Sequence, residues 1–229
     1  MSRLRITLVL ICTALVVGIL SSAVTQRNIR KGNTVRWFRE MEAFCSRVEK
    51  NVPKDGVLFV GDSHIQGLCV AAVCSRGVNL GIGGDTTAGV LRRLLTYASR
   101  KWVKAVVVAV GVNDLLQGHE TRLLGRYQAI LESVPAGVPL VLCGLFPVDP
   151  MVARQKINDK VWALNRRLEQ LCSTRDNCLF NPVPGGIMDE SGNLDPELHI
   201  GDGIHLNPAG YRIWIMDLQQ QLNNLPRSF

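Results

Sequence analysis

The sequence predicts an α/β fold in which a parallel sheet of about five strands lies between two layers of helices. Two features lead to this prediction. Short runs rich in Val and Leu recur along the chain, as expected of strands buried on both faces, and amphipathic stretches long enough for helices separate them. The chain has 229 residues, enough for one such domain and an appendage. We therefore predict a three-layer α/β/α sandwich over residues 35–229 and a distinct N-terminal segment over residues 1–34.

The N-terminal segment contains a long apolar run, residues 6–24, whose nineteen residues carry no charged side chain. A run of this length can cross a bilayer as one helix. Ser21-Ser22-Ala23 near its end also fits the cleavage site of a signal peptide. We expect a signal anchor or a cleaved signal peptide, and in both cases a membrane-anchored or exported domain on the extracytoplasmic face. Two Lys or Arg residues precede the run and five follow within fifteen residues. By itself, this distribution favours a cytoplasmic location for the part of the chain that follows the run.

Much of the formal net charge of +7 belongs to the basic residues that flank this run. Such a flank is typical of a segment near a membrane surface. The interior of the chain has no Lys/Arg run, and aromatic residues make up only 6%. We therefore expect no nucleic-acid partner.

The remaining elements follow in chain order. Residues 35–52 form the first predicted helix, in which Trp37, Met41, Phe44 and Val48 recur at helical spacing on one face. The strand candidates are 57–60, 78–80, 105–110, 140–145 and 178–180. The helical patterns cover about 66–74, 87–99, 120–134, 152–172 and 208–222, and Asn207-Pro208 suits the start of the last one.

The cysteines do not decide the cellular compartment. Cys143 lies in a predicted core strand, where a buried free thiol is the simplest interpretation. Cys172 and Cys178 flank a short polar turn and are the only pair that we consider for a disulfide. The sequence has no CxxC motif and no Cys/His spacing typical of zinc.

The chemistry centres on Gly61-Asp62-Ser63, which directly follows the first strand candidate. This position puts a serine hydroxyl at the carboxyl end of a buried strand, where open α/β sheets carry their active sites. A serine nucleophile also needs a base, an acid that orients the base, and oxyanion donors. Without these partners the tripeptide is only a turn with good helix-capping residues.

Later strand ends offer those partners. The second strand leads into a glycine-rich loop, residues 81–87. The glycine spacing differs from GxGxxG and no P-loop lysine follows, so the loop gives little support for a phosphate site. Asn113 follows the third strand. At the end of a long irregular stretch, residues 181–202, Asp202 precedes His205 by three residues, so that one turn can carry a carboxylate and an imidazole. Taken singly, Asn113 could cap a helix, Asp202 could fix a turn and His205 could be a buried structural histidine.

Taken together, these motifs resemble the SGNH (GDSL) hydrolase family over about residues 57–211. The resemblance implies that the Ser, Gly, Asn and His after which the family is named are Ser63, Gly84, Asn113 and His205. It also implies that Asp202 is the acid that orients His205. Within the family, the sequence of residues 79–87 and 144–147 is similar to that of the catalytic subunits of intracellular platelet-activating-factor acetylhydrolases. The chain departs from that group in its N-terminal apolar run and in Asp114 after Asn113.

The resemblance implies a flavodoxin-like fold and a serine esterase with the triad Ser63, His205 and Asp202. The oxyanion donors would be the backbone N–H groups of Ser63 and Gly84 and the side-chain amide of Asn113. No metal or cofactor is needed, and the expected substrate is an ester of a short acyl group with a lipid, a sugar or a small alcohol. The GxSxG elbow of α/β-hydrolases is absent because position 65 is Ile.

Two other functions remain open at this point. His199, Asp202 and His205, with His64 as a further ligand, could bind a metal ion and make the protein a metallohydrolase. Alternatively, the same cleft could bind a glycan or lipid in a membrane-tethered module with little catalytic activity.

Overall fold

The computed structural model describes residues 32–153 and 156–225. The apolar run at residues 6–24 lies outside these ranges, and no helix within them is both long and apolar enough to cross a membrane. The described residues from Cys45 onward belong to one unit, which contains every element discussed below except the first part of the first helix. The predicted domain boundary at residue 34 stays a prediction.

Five strands form one sheet in which every neighbouring pair is parallel. They are β1 (Val57–Gly61), β2 (Gly77–Gly81), β3 (Ala105–Ala109), β4 (Leu140–Cys143) and β5 (Cys178–Asn181). Every residue of β1, β3 and β4 is buried, because helices cover both faces of the sheet. The predicted parallel α/β sheet is confirmed, with each strand within about three residues of its expected position.

The strand order is β2-β1-β3-β4-β5, the flavodoxin-like order. The chain winds outward from β1 to β2, then crosses back over β1 to reach β3, so the winding direction changes beside β1. Gly61 at the end of β1 lies in register with Gly81 of β2 and Ala109 of β3. Three strand ends therefore meet at one point of the sheet edge, where open α/β folds bind their ligands.

Nine α-helices lie within the described ranges. They are α1 (32–49), α2 (Ser63–Gly67), α3 (Val70–Val73), α4 (Thr87–Thr96), α5 (Val112–Leu116), α6 (Leu123–Ser133), α7 (Pro150–Ala153), α8 (Asn158–Cys172) and α9 (Pro208–Asn223). On one face of the sheet α6 packs between α4 and α8, and on the other α9 packs on α3. Trp214 of α9 belongs to a hydrophobic core cluster that contains alternate residues of the central strands, among them Phe59 and Val107. The residues alternate because successive side chains of a strand point to opposite faces of the sheet.

Two predicted helices are interrupted by asparagine side chains. The pattern at 66–74 predicted one helix, but α2 ends at Gly67 and α3 begins at Val70. The Asn79 amide of β2 donates to the carbonyls of Ile65 and Leu68, at 2.6 and 2.9 Å, and thereby replaces helical bonds at the end of α2. Similarly, Asn158 bonds both backbone groups of Val148 at 2.8 Å, and α8 begins at Asn158 rather than near residue 152.

The predicted N-terminal helix is present as α1, and Met41 and Val48 of its predicted apolar face are half-buried. Trp37 and Phe44 are 39% and 46% exposed, whereas Cys45 and Glu49 are buried. Two of the four residues that were predicted to share a face are thus exposed, and the buried side of α1 includes Glu49. A cause is the carboxylate of Glu49, which accepts a 2.6 Å hydrogen bond from the backbone N–H of Ser99 and so faces inward. Hydrophobic periodicity cannot anticipate a buried acidic residue.

The C-terminal part of the chain carries the second half of the site. A disulfide joins Cys172 at the end of α8 to Cys178 at the start of β5, and Cys143 is a buried free thiol. Within the stretch that was expected to be irregular, a bridge pairs His199 with Leu206 and closes the loop that carries Asp202 and His205. Asn207 then caps α9 by accepting from the N–H groups of Ala209 and Gly210, as predicted.

Candidate active site

Ser63 is the first residue of α2, directly after β1. The preceding Asp62 fixes this junction twice: its backbone N–H donates to the carbonyl of Ala109 at 3.2 Å, and its carboxylate caps α2 by accepting from the N–H of His64 at 3.0 Å. The serine is thus tied to β3 on one side and to its own helix on the other. Ser63 remains half-buried.

The loop of residues 199–206 brings a histidine and a carboxylate to this serine. Nε2 of His205 lies 2.9 Å from Oγ of Ser63, across 142 positions of sequence. Nδ1 of the same ring lies 2.5 Å from Oδ2 of Asp202. The structure therefore brings together Ser63, His205 and Asp202 in the order that a catalytic triad requires.

Asp202 is held as an anion although it is partly buried. Burial by itself raises the pKa of its carboxyl group, but the hydrogen bond to the His205 ring and the N–H groups of His205 and Ile204 outweigh it and lower the pKa to about 2. An anionic Asp202 accepts a hydrogen bond from the Nδ1–H of His205. Nε2 is then left with a lone pair that faces Ser63, the tautomer that a general base needs.

Gly84 and Asn113 lie at the ends of the two strands beside β1. A Cβ on Gly84 would meet no atom within 4 Å, so space does not restrict this position to glycine. Its φ of +77° does favour glycine, because residues with a side chain rarely adopt that conformation. Asn113 is in the first turn of α5 and donates one amide hydrogen to the carbonyl of Asp85 at 2.9 Å. Its second amide hydrogen is not used by that bond. Within the described ranges, no protein acceptor is assigned to the backbone N–H of Ser63 or of Gly84.

A buried ion pair supports the loop that carries Gly84. Arg93 of α4 donates to the Asp85 carboxylate at 2.6 and 3.0 Å. The same guanidinium donates to the carbonyls of Leu80 and Gly61, at 2.7 and 3.2 Å. It thus connects the loop to the ends of β1 and β2. In the sequence, Arg93 stands out only as a basic residue on the helix after the glycine loop.

A second buried carboxylate, Asp114, lies next to Asn113. It accepts from the backbone N–H and the hydroxyl of Thr87, at 2.8 and 2.9 Å, and from Arg126 at 2.8 Å. These bonds join α5 to the start of α4 and to α6. The residue that was noted only as a departure from related sequences therefore helps to fix the position of Asn113.

His64 follows the serine and is buried against the ring of Phe146, with ring centroids 5.2 Å apart. Nε2 lies 3.0 Å from the carbonyl of Ile204, and Nδ1 lies 3.4 Å from the Asp62 carboxylate. Burial opposes a charge on this ring, but Asp62 and the Ile204 carbonyl outweigh it and raise the pKa of His64. His64 thus links the serine turn to the backbone beside His205, a role that the sequence did not indicate.

The arrangement of His199 does not match the metal site that the sequence spacing suggested. Its Nε2 lies 3.3 Å from the carboxylate of Asp149, and its Nδ1 accepts from the backbone N–H groups of Gly201 and Gly203. The described residues contain no group of three or more His, Cys, Asp or Glu side chains that could hold a metal ion. Asp202 and His205 are bonded to each other instead.

Comparisons with known proteins identify the family of this chain. The sequence model of the GDSL-like lipase/acylhydrolase family matches residues 59–213. Platelet-activating factor acetylhydrolase IB subunit alpha2 from Homo sapiens is 30% identical over an alignment of 191 residues, with a coverage of 77% of this chain and 79% of the relative.

Solved structures share the fold. One from Streptococcus pneumonia, provisionally described as a platelet activating factor, has a TM-score of 0.78 at 23% identity and covers 87% of this chain and 99% of its own. A catalytic mutant of Axe2, an acetylxylan esterase from Geobacillus stearothermophilus, has a TM-score of 0.61 at 18% identity and covers 73% and 94%. The chain belongs to the GDSL-like lipase/acylhydrolase family, as its sequence motifs predicted.

Proposed function

We propose that this chain is a serine esterase that transfers the acyl group of a carboxylic ester first to Ser63 and then to water. The observation that carries the proposal is the unbroken hydrogen-bonded path from Ser63 through His205 to Asp202, with distances of 2.9 and 2.5 Å. A hydroxyl, a base and an ionised carboxylate in this order activate a serine for attack on a carbonyl.

The reaction runs in two halves. Nε2 of His205 takes the proton of Ser63 while Oγ bonds to the ester carbonyl carbon. The bond to the alcohol then breaks, and the departing alcohol takes the proton from His205. A water molecule repeats the sequence on the acyl-enzyme, which releases the carboxylic acid and restores the Ser63 hydroxyl.

Three donors would meet the oxyanion that forms in each half. They are the backbone N–H groups of Ser63 and Gly84 and the free amide hydrogen of Asn113. The bond from Asn113 to the Asp85 carbonyl supports this role, because it fixes which end of the amide carries the nitrogen. Donors held in place before the reaction stabilise the developing charge without a cost in reorganisation.

The proposed substrates are esters of short acyl groups with a lipid, a sugar or a small alcohol. The side chains of His205 and Asp202 are 38% and 40% exposed, which indicates an open cleft that suits a small acyl group on a larger alcohol. The names of the relatives, an acetylhydrolase and an acetylxylan esterase, point to acetyl esters. We further propose that residues 6–24 attach the enzyme to a membrane or direct its export.

A substrate panel tests this function. Purified full-length protein is assayed on p-nitrophenyl esters of increasing acyl length, on acetylated sugars and on lysophospholipids, with Ser63→Ala as the matched control. We expect hydrolysis of acetyl esters, a fall in kcat/KM with acyl length, and no turnover by the folded control. Turnover that Ser63→Ala retains, or that EDTA abolishes and zinc restores, would contradict the serine mechanism.

A further inference from the structure

We propose that His199 and Asp149 form a second histidine–carboxylate pair whose task is to position Asp202 and His205, with a neutral His199 acting as the hydrogen-bond acceptor of their loop. The proposal rests on the proposed function, because it concerns the geometry of the same acid and base. His199 and Asp149 are positioning residues here, since neither is bonded to Ser63 or to the ring of His205.

The hydrogen bonds of His199 determine its protonation state. Nδ1 lies 3.0 Å from the backbone N–H of Gly201 and 3.2 Å from that of Gly203. Both groups can only donate, so Nδ1 must carry a lone pair and the ring proton must be on Nε2. Nε2 faces Oδ2 of Asp149 at 3.3 Å, an acceptor for that proton. A charged His199 would turn Nδ1 into a donor that faces two other donors.

The loop that His199 holds has an unusual backbone. Gly201 and Gly203, on either side of Asp202, have φ values of +97° and +74°. The carbonyl of Gly203 also accepts a hydrogen bond from the backbone N–H of Asp149 at 2.8 Å, and a Cβ on Gly203 would lie 2.7 Å from the backbone nitrogen of Ala153. The loop is thus packed against α7, and among the described residues the His199 ring accepts from both glycine N–H groups.

Asp149 anchors the ring from the other side. Its Oδ1 caps α7 by accepting from the N–H of Met151 at 2.8 Å, while its Oδ2 faces Nε2 of His199. Both side chains are buried, with exposed fractions of 4% for His199 and 8% for Asp149. A buried carboxylate fixed by a helix cap gives the imidazole a fixed orientation.

The pair acts on both members of the acid–base couple. Asp202 lies between the two glycines that donate to His199, so loss of the acceptor would free the backbone on either side of its carboxylate. The backbone of His199 is also paired with Leu206, and the N–H of Ile200 donates to the carbonyl of His205 at 2.9 Å. A small displacement of Asp202 would break its 2.5 Å contact with the ring of His205.

Two variants of one residue test the proposal, because asparagine and glutamine imitate different nitrogens of the imidazole. His199→Asn keeps an acceptor at the place of Nδ1, whereas His199→Gln fills more space but reaches only the place of Nε2. We expect His199→Asn to keep kcat within roughly threefold of the wild type. We expect His199→Gln to lose about 10²-fold in kcat with KM little changed, since misplacement of catalytic groups has effects of that size.

A packing role predicts the reverse order, because the larger glutamine leaves the smaller cavity. Equal activities of the two variants, or a better His199→Gln, would overturn the proposal. The rate of fluorophosphonate labelling at Ser63 is measured in parallel. A wild type that neither reacts with the probe nor hydrolyses esters would instead refute the proposed function itself.

Asp149→Asn gives a second test that does not depend on the folding of the His199 variants. A neutral imidazole needs an acceptor but no counter-charge. Asparagine keeps one carbonyl oxygen for Nε2–H, although the cap of α7 then loses its acceptor. We expect Asp149→Asn to retain kcat within roughly threefold, the effect of one weakened hydrogen bond. A loss as large as that expected for His199→Gln would show that the charge of Asp149 is required, and the neutral acceptor role would be wrong.

Discussion

The side-chain amide of Asn113 donates a hydrogen bond to the backbone carbonyl of Asp85, 2.9 Å away. This bond joins the end of β3 to the glycine loop that follows β2, on either side of the strand that leads to Ser63. It uses one amide hydrogen of Asn113 and orients the other. Two of the three proposed oxyanion donors are therefore fixed relative to each other before any substrate binds.

Replacing Asn113 tests this role. Asn113→Ala should lower kcat by about 10²–10³, as the loss of one oxyanion donor typically does. KM should change little, because the amide interacts most strongly with the charge that develops in the transition state. Steady-state kinetics on the best ester of the panel measures both. A raised KM with unchanged kcat would make Asn113 a binding or structural residue.

Gly84 can be compared with a matched glycine outside the site. Gly84 and Gly118 have φ values of +77° and +74°, and a Cβ would meet no atom within 4 Å at either position. Alanine at each should therefore lower the free energy of unfolding by a similar amount, about 1–2 kcal/mol. Only Gly84→Ala should also lower kcat, by at least about tenfold, because it shifts a proposed donor. Equal kcat values for the two variants would remove Gly84 from the oxyanion hole.

His64 should make the stability of the protein depend on pH. Its pKa is raised in the folded state, so its contribution to stability is fully present below its unfolded pKa of about 6.5 and is lost as the pH rises through the folded value. We expect the wild type to have a higher free energy of unfolding than His64→Leu, and this difference should be greater at about pH 6 than at about pH 9. Urea unfolding at both values measures the difference. A gap that widens with rising pH would contradict the assigned interactions of His64.

The N-terminal run has its own prediction. If residues 6–24 anchor the chain, full-length protein should fractionate with membranes and resist an alkaline wash. A chain that begins at Asn33 should stay in the soluble fraction and be equally active. A mature N-terminus at Val24 would show a cleaved signal peptide instead. Full-length protein that washes off at high pH would contradict the anchor.

The local sequence sufficed for the parts of the fold that depend on local signals. The runs at β1 and β3 identify buried parallel strands, and the residues that directly follow them identify the serine and the asparagine of the site. The Asp202–His205 spacing could likewise be read along the chain, because one turn carries both groups. These features were predictable because strand ends of a parallel sheet must meet at one edge.

The supporting interactions were not predictable, because they join residues whose proximity only the fold creates. Arg93 bonds carbonyls of β1 and β2 besides its neighbour Asp85, and His199 meets Asp149 across 50 positions. Buried polar groups of this kind leave no hydrophobic period, as Glu49 in α1 also shows. The helix boundaries that Asn79 and Asn158 determine were missed for the same reason.

The central claim is that Ser63 is the nucleophile and His205 its base, and covalent labelling tests it most directly. Wild-type protein, Ser63→Ala and His205→Ala are treated with a fluorophosphonate, and the labelled peptide is identified by mass spectrometry. We predict rapid modification of Ser63 in the wild type, none in Ser63→Ala, and much slower modification of Ser63 in His205→Ala, because the hydroxyl then lacks its base. Modification of a different serine, or labelling of the wild type and His205→Ala at the same rate, would contradict the account.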